Sequence, residues 1–367
     1  MKIVFDEDVA YTVFSTLTHL WENKVGVFRN IVLPQDKHPR PTDPREHALW
    51  LFYASLGMRG GILSEEVFKI WAHAKENYPE IFLPEKIVTN DIKSAGILER
   101  LRSSIRMLFN RHGETDFKGY KLEEISELWL KDSLVLLREW DGNPLNIFVG
   151  IKKFEEAFFR IDHRHQPEEK GLSGIRRKIF SLYIIWLQEA GLIPIFPTPL
   201  PVDFHTMRIF FATEIARVEG TTSKKNRWPE FRNFHTSEKI TDALATWSED
   251  FMSKHGFSHW IINPALWVWG REMCSENFQN RSWNNGAIVA SEEDILYGTK
   301  TWPKNYQDPC GKCAIGSSCK YAMPSGPYYT FGSLVFIKRI EYLPYQLNLF
   351  SETTEVTEMI AKRNLRK

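Results

Sequence analysis

Cysteine is scarce in this chain, four residues in 367, and three of the four crowd into CGKCAIGSSCKYA at 310–322. So few thiols exclude a disulfide-stapled scaffold, and their clustering favours a metal or cluster site. An excess of either charge is also missing. Forty-seven basic against forty-six acidic residues leave a formal net charge of +1, so any contact with a polyanion must come from a local cluster and not from the overall field. No apolar stretch reaches the roughly eighteen residues of a membrane span, and MKIVFDEDVAYTVF carries acids where a signal or transit peptide needs an apolar or basic run. A cytoplasmic location, with no membrane partner, is the expectation. Repeats and low-complexity tracts are absent too.

What is there is helical. Apolar residues at three- and four-residue spacing predict helices over 45–56, 64–78 with Ser64 as N-cap, 90–113, 121–140, 143–161, 176–190, from Pro201 to about Arg217, 237–256 and 259–274. Only YYTFGSLVFIKRIEYLP near the end alternates like a strand. Proline-rich or polar linkers lie at 33–44, 193–201 and 219–230, with a polar stretch between Cys274 and Cys310.

The thiol pattern is Cys274, thirty-five residues, Cys310, two residues, Cys313, five residues, Cys319. Structural zinc usually takes two short-spaced pairs, and only one pair exists here. A compact loop giving three ligands, with a fourth from a preceding helix end, suits a cubane iron-sulfur cluster better, and zinc stays open as the alternative. A second constellation lies upstream. GLSGIRRKIFSLYIIWL (171–187) opens with a turn containing Gly171 and Gly174 and continues as a segment apolar nearly all round, hence a buried helix. Lys178 falls in its first turn, in expected low-dielectric surroundings, as a candidate amine nucleophile. After the linker comes PVDFHTMRIF, with Asp203 placed to start a helix and His205 and Arg208 in its first turns. Arg160, Arg164, Lys170, Arg176, Arg177 and Lys178 make the interval 160–178 basic.

These segments together resemble one family. LSGIRRK (172–178) is similar to the Leu-Pro-Gly-Val-Gly-x-Lys hairpin of helix-hairpin-helix DNA glycosylases, and PVDFHTMR to their Val-Asp-x-His-x-x-Arg segment. WVWGREMC followed by PCGKCAIGSSCKY resembles the cluster loop of the endonuclease III branch. The resemblance covers about residues 145–322. It implies an all-α, two-domain glycosylase fold with an iron-sulfur cluster loop and a small C-terminal β extension. The domains expected are an N-terminal segment at 1–60 packing on the cluster domain, a six-helix domain at 61–200 with the hairpin near 171–187, a cluster domain at 201–340 with an insertion at 275–309, and a tail at 341–367.

The implied activity is base excision from double-stranded DNA by a monomer, with AP-lyase activity through Lys178 and charge stabilisation by Asp203. Gly174, Arg176, Arg177, His205 and Arg208 are the implied DNA contacts, and Cys274, Cys310, Cys313 and Cys319 the [4Fe-4S] ligands. A non-catalytic iron-sulfur or zinc DNA-binding protein of the same fold is the alternative. The chain departs from the family at Ser173, which stands for the hairpin proline, at Arg176, which stands for its second glycine, in a longer gap between Lys178 and Asp203, and in the 275–309 insertion. Finally, Gln346, Leu347, Leu349 and Phe350 in YQLNLF resemble the peptide that bacterial proteins insert into the sliding clamp, an extended segment with a polar anchor and apolar pocket-fillers.

Overall fold

The computed structural model describes residues 2–110, 117, 119–167, 170–219, 238–273 and 313–319. Cys274, Cys310, the 275–309 insertion, the expected C-terminal strand and the 346–350 peptide lie outside the described residues. The fold is mostly helical, in keeping with the all-α expectation, and the chain divides into two compact units. One comprises Met1–Asn30, Val202–Leu244 and Ile261–Lys367; the other comprises Ile31–Pro201 and Ala245–Trp260.

The second of these units is built around helix α2 (Pro44–Leu56) and helix α8 (Arg177–Glu189). Asp43 caps α2 by accepting the Glu46 amide at 2.8 Å, and every residue from His47 to Leu56 is buried, as an apolar run on all faces demands. Tyr183 of α8 donates its hydroxyl to the Ala48 carbonyl at 3.1 Å, which satisfies a polar atom in the contact between the two helices. Because α2 is a core partner of α8, the boundary expected near residue 60 falls at Asn30.

Around this pair lie α3 (Ser64–Asn77), α4 (Pro84–Thr89), α5 (Ser94–Phe109), α6 (Leu122–Trp140) and α7 (Phe154–Ile161). Ser64 is the first helical residue of α3 and not its cap: Leu63 holds the cap position, and its amide donates to Glu66 at 3.4 Å. The single helix expected over 143–161 is two elements. A 3₁₀ turn at Pro144–Phe148 ends before Gly150, whose φ of +74° breaks helical geometry, and α7 starts anew at Phe154. Trp129 of α6 ties the core together. Its ring stacks on Tyr53 at 4.4 Å, and its indole N–H donates to the Ile81 carbonyl at 2.6 Å.

In the other unit, strand β1 (Lys2–Phe5) pairs antiparallel with β2 (Ala216–Glu219), Lys2 opposite Glu219 and Phe5 opposite Ala216. Helix α1 (Glu7–Glu22) follows β1 directly, capped by Asp6, which accepts the Val9 amide at 3.1 Å. Helix α9 (Phe204–Ala212) stops short of the expected Arg217. Glu214, at φ +60°, turns the chain, and the next residues form β2 because β1 offers its edge. The residues of helix α10 (Glu238–His255) and helix α11 (His259–Val268) are divided between the two units at Leu244 and at Trp260, and α11 gives way to a π-helical turn at Trp269–Met273 where one continuous helix was expected.

Trp129→Ala removes a fully buried ring and a buried hydrogen bond, and is expected to cost about 3–5 kcal/mol in chemical denaturation. A loss under about 1 kcal/mol would show that Trp129 does not tie this core together.

Candidate functional site

The hairpin begins where Leu172 leaves an isolated bridge with Asp162, its amide donating to the Ile161 carbonyl at 2.7 Å. Gly171 lies so close to the chain beside it that a Cβ there would sit 2.2 Å from the His163 Cα. The next two amides turn inward. Ser173 donates to Asp132 Oδ1 at 2.7 Å and Gly174 to Asp132 Oδ2 at 2.9 Å. This corrects the expectation for Gly174, whose amide was assigned to an external phosphate. Arg176 is the N-cap of α8 and is exposed, and Arg177 and Lys178 are the first two helical residues.

The basic interval 160–178 is largely neutralised within the chain. Arg164 donates to Asp162 at 3.1 Å, and Arg160 donates to the carbonyls of Ile147 and Val149 at 2.9 and 3.1 Å. Arg177 pairs with Glu155 and lies over the rings of Phe154 and Phe158 at 5.0 and 5.7 Å. Lys170 reaches Glu139 at 4.0 Å. Lys178 is exposed and makes no ion pair among the described residues. The low-dielectric setting expected for it belongs instead to the residues that follow, Ile179 to Gln188, nearly all of which are buried.

The longer linker forms one wall of a cleft. Ile195–Thr198 and the segment from Glu249 to Trp260 enclose about 250 Å³ of open space, with Phe257, His259 and Trp260 among its walls. Glu249 also faces Glu155 and Arg177. Burial, then repulsion from Glu155, pushes its carboxyl up to about 7, while Arg177 pulls the other way. His259 bonds Gln188 Oε1 through Nε2 at 2.5 Å, and burial drives its pKa down to about 4, so the ring is neutral at physiological pH.

In the other unit, Asp203 caps α9. Its Oδ1 accepts the Thr206 amide at 2.8 Å, and Oδ2 has no hydrogen bond among the described residues. Arg208 was expected beside a phosphate, and the structure corrects this. It is 1 % exposed, donates to the Gly270 carbonyl at 2.8 Å and lies over the Phe204 ring at 4.5 Å. His205 packs on the same π-turn: a Cβ at Gly270 would sit 2.8 Å from its Cβ, and burial lowers its pKa. These two side chains fix the π-turn at Trp269–Met273; of the two implied DNA contacts, Arg208 is buried and His205 takes a structural place.

Cys313 and Cys319 lie on one short loop, closed by Gly316 and Cys319 amides donating to the Cys313 and Gly316 carbonyls at 2.9 and 3.1 Å. Burial pushes the Cys313 thiol up, against the Ile315 amide and the Trp269 indole N–H. Among the described residues no group of three metal-ligating side chains comes together. Asp132 and Glu249 went unread in the sequence. A signal for Asp132 was present: it shares the buried face of α6 with Trp129, Ser133 and Leu136, where a carboxylate has no place unless donors meet it.

No protein-family model matches the chain, and no curated protein or solved structure matches it.

The folded chain holds the Glu249 proton more tightly than the unfolded one. Its contribution to stability is therefore present below the ordinary value of 4.5 and is lost as pH rises through about 7. Glu249→Gln keeps the neutral form throughout, so its Tm advantage over the parent chain is expected to widen from about pH 5 to about pH 8. A Tm difference independent of pH would refute this.

Proposed function

We propose that this protein is a base-excision DNA glycosylase with AP-lyase activity, built on the helix-hairpin-helix glycosylase fold. The observation that carries the reading is an exposed lysine, unpaired among the described residues, in the first turn of the helix that follows a hydrogen-bonded hairpin turn. Two features support it. The next motif in the chain begins a helix capped by an aspartate that keeps one oxygen open. One of the two units also joins Met1–Asn30 to the loop that carries Cys313 and Cys319, which supports the reading.

A base inside a duplex hides its glycosidic carbon, so the target nucleotide must be flipped out, and the cleft walled by Phe257 and Trp260 is the recess proposed to receive it. Positive charge then grows on the sugar as the C1′–N bond lengthens, and the Asp203 carboxylate stabilises it. The unprotonated Lys178 amine forms a bond to C1′ as the C1′–N pair leaves with the base, which takes up a proton. Transfer of one amine proton to the ring oxygen O4′ breaks the C1′–O4′ bond and gives a protonated Schiff base. Removal of a C2′ proton then expels the 3′ phosphate and cuts the strand. Arg176, exposed at the α8 N-cap, is proposed as a phosphate contact near this end.

Cys274, Cys310, Cys313 and Cys319 would hold a [4Fe-4S] cluster. Thiolate donors suit it, and the π-turn ending at Met273 leads straight into the first of them. Bound there, the cluster would supply a cross-link between that turn and the 313–319 loop and no step of the reaction.

Borohydride is expected to trap the parent chain on abasic-site DNA, and Lys178→Gln is expected to abolish the trapped adduct. Undiminished trapping would remove Lys178 from the mechanism. Asp203→Asn keeps a capping oxygen but loses the charge, so base release should fall by about 100-fold or more while DNA affinity holds. A variant that releases base at the parental rate would overturn the role given to Asp203. A chain that binds duplex DNA and releases no base from any damaged or modified substrate would favour the non-catalytic alternative.

A further inference from the structure

Asp132 is 0 % exposed, and each of its carboxylate oxygens accepts one hairpin amide, from Ser173 at 2.7 Å and from Gly174 at 2.9 Å. The turn is moulded onto it. A Cβ at position 174 would lie 2.6 Å from Leu56 Cδ2 and 2.8 Å from Asp132 Oδ2, so only glycine brings its amide this close. Neither a proline at 173 nor a glycine at 176 is present to shape the loop by backbone preference.

We propose that Asp132 is the positioning residue of the hairpin: its buried carboxylate acts as an internal anion that occupies the first two amides of the turn and so sets where α8 begins. Those amides are thereby closed to an outside phosphate, and a phosphate ligand must use donors after Gly174. Asp132 holds the loop in this way whatever reaction the protein performs.

The groups facing Asp132 can be named. Arg59, paired with Glu124 at 3.2 Å, and Lys131 are the cations; Tyr53, bonded to Ser133 Oγ at 2.7 Å, is the titratable neighbour on α2. From the hairpin come the two amides. Burial pushes the carboxyl up to about 7 against the pull of the Ser173 and Gly174 amides, Arg59 and Lys131. The clamp therefore changes strength within the physiological range.

The test is amide NMR on the isotope-labelled full chain. The Ser173 and Gly174 amide protons are expected to titrate together with a midpoint near 7. In Asp132→Asn, which offers one acceptor where two amides need one each, the titration should vanish and Gly174 hydrogen exchange should accelerate on the order of tenfold. Ser173 and Gly174 amides that exchange in the parent chain as fast as open amides, a measurement needing no variant, would overturn the proposal. So would exchange at Gly174 unchanged in a folded Asp132→Asn chain. Neither readout depends on base excision. A chain never trapped on abasic DNA would defeat the glycosylase reading and leave this result intact.

Discussion

A carboxylate with no solvent around it is stable only if donors meet it, and Asp132 meets two backbone amides that would otherwise have no partner in a tight turn. Each side of the contact satisfies the other. The consequence runs outward: Gly174 must be glycine, Leu56 of α2 closes over it, and the turn delivers Arg176 to the cap and Lys178 to the first turn of α8. Helix α8 is itself fixed by burial from Ile179 onward and by the Tyr183 hydroxyl on Ala48. The exposed lysine is thus held at the end of one of the most deeply buried elements of its unit, a rigid mount for a long side chain.

The same economy of charge shows in the surrounding cations. A nearly neutral chain cannot attract a polyanion by its total charge, and most basic side chains from 160 to 177 are occupied by Asp162, Glu155, Glu139 or backbone carbonyls. The pairs made by the exposed Glu155 and the exposed Lys170 add little stability. Their effect is to confine unneutralised charge, with Lys178 standing clear of any ion pair among the described residues. Glu249 contributes by its protonation: held neutral toward pH 7 by burial and by Glu155, it keeps a second full negative charge away from Arg177 and the α8 terminus.

Local signals were legible where the structure is local. The α6 periodicity predicted 121–140 and the helix runs Leu122–Trp140; the all-apolar stretch after Lys178 marked a buried helix, and α8 is one. The sequence misled where a distant partner decides. Residues 216 and 217 fall within the expected helix, yet 216–219 pair with residues 2–5, and no window around either segment contains the other. Ser64 looked like a cap because serine usually is one, but the Glu66 carboxylate satisfies the Leu63 amide and shifts the helix start by one residue. The site divides in the same way. Asp203 was readable as a cap from its position, whereas the burial of Arg208 depends on Gly270, sixty-two residues on, and could not be read.

Arg208 and Asp203 fix one short helix from two directions. A guanidinium buried to this degree needs acceptors, and the Gly270 carbonyl and the Phe204 face provide them, which locks α9 to the π-turn. With the helix start held, the cap at Asp203 is geometrically tight: the Thr206 amide takes Oδ1 and fixes the side-chain rotamer. The second oxygen is then presented in a defined direction without further support. An aspartate is suited to this double task because it has two equivalent acceptors on a short stem, whereas serine or threonine would exhaust its one oxygen on the cap and glutamate would lose the cap's reach. Aspartate at 203 therefore meets the demands of the cap and, in the proposed reaction, could carry charge from the same side chain.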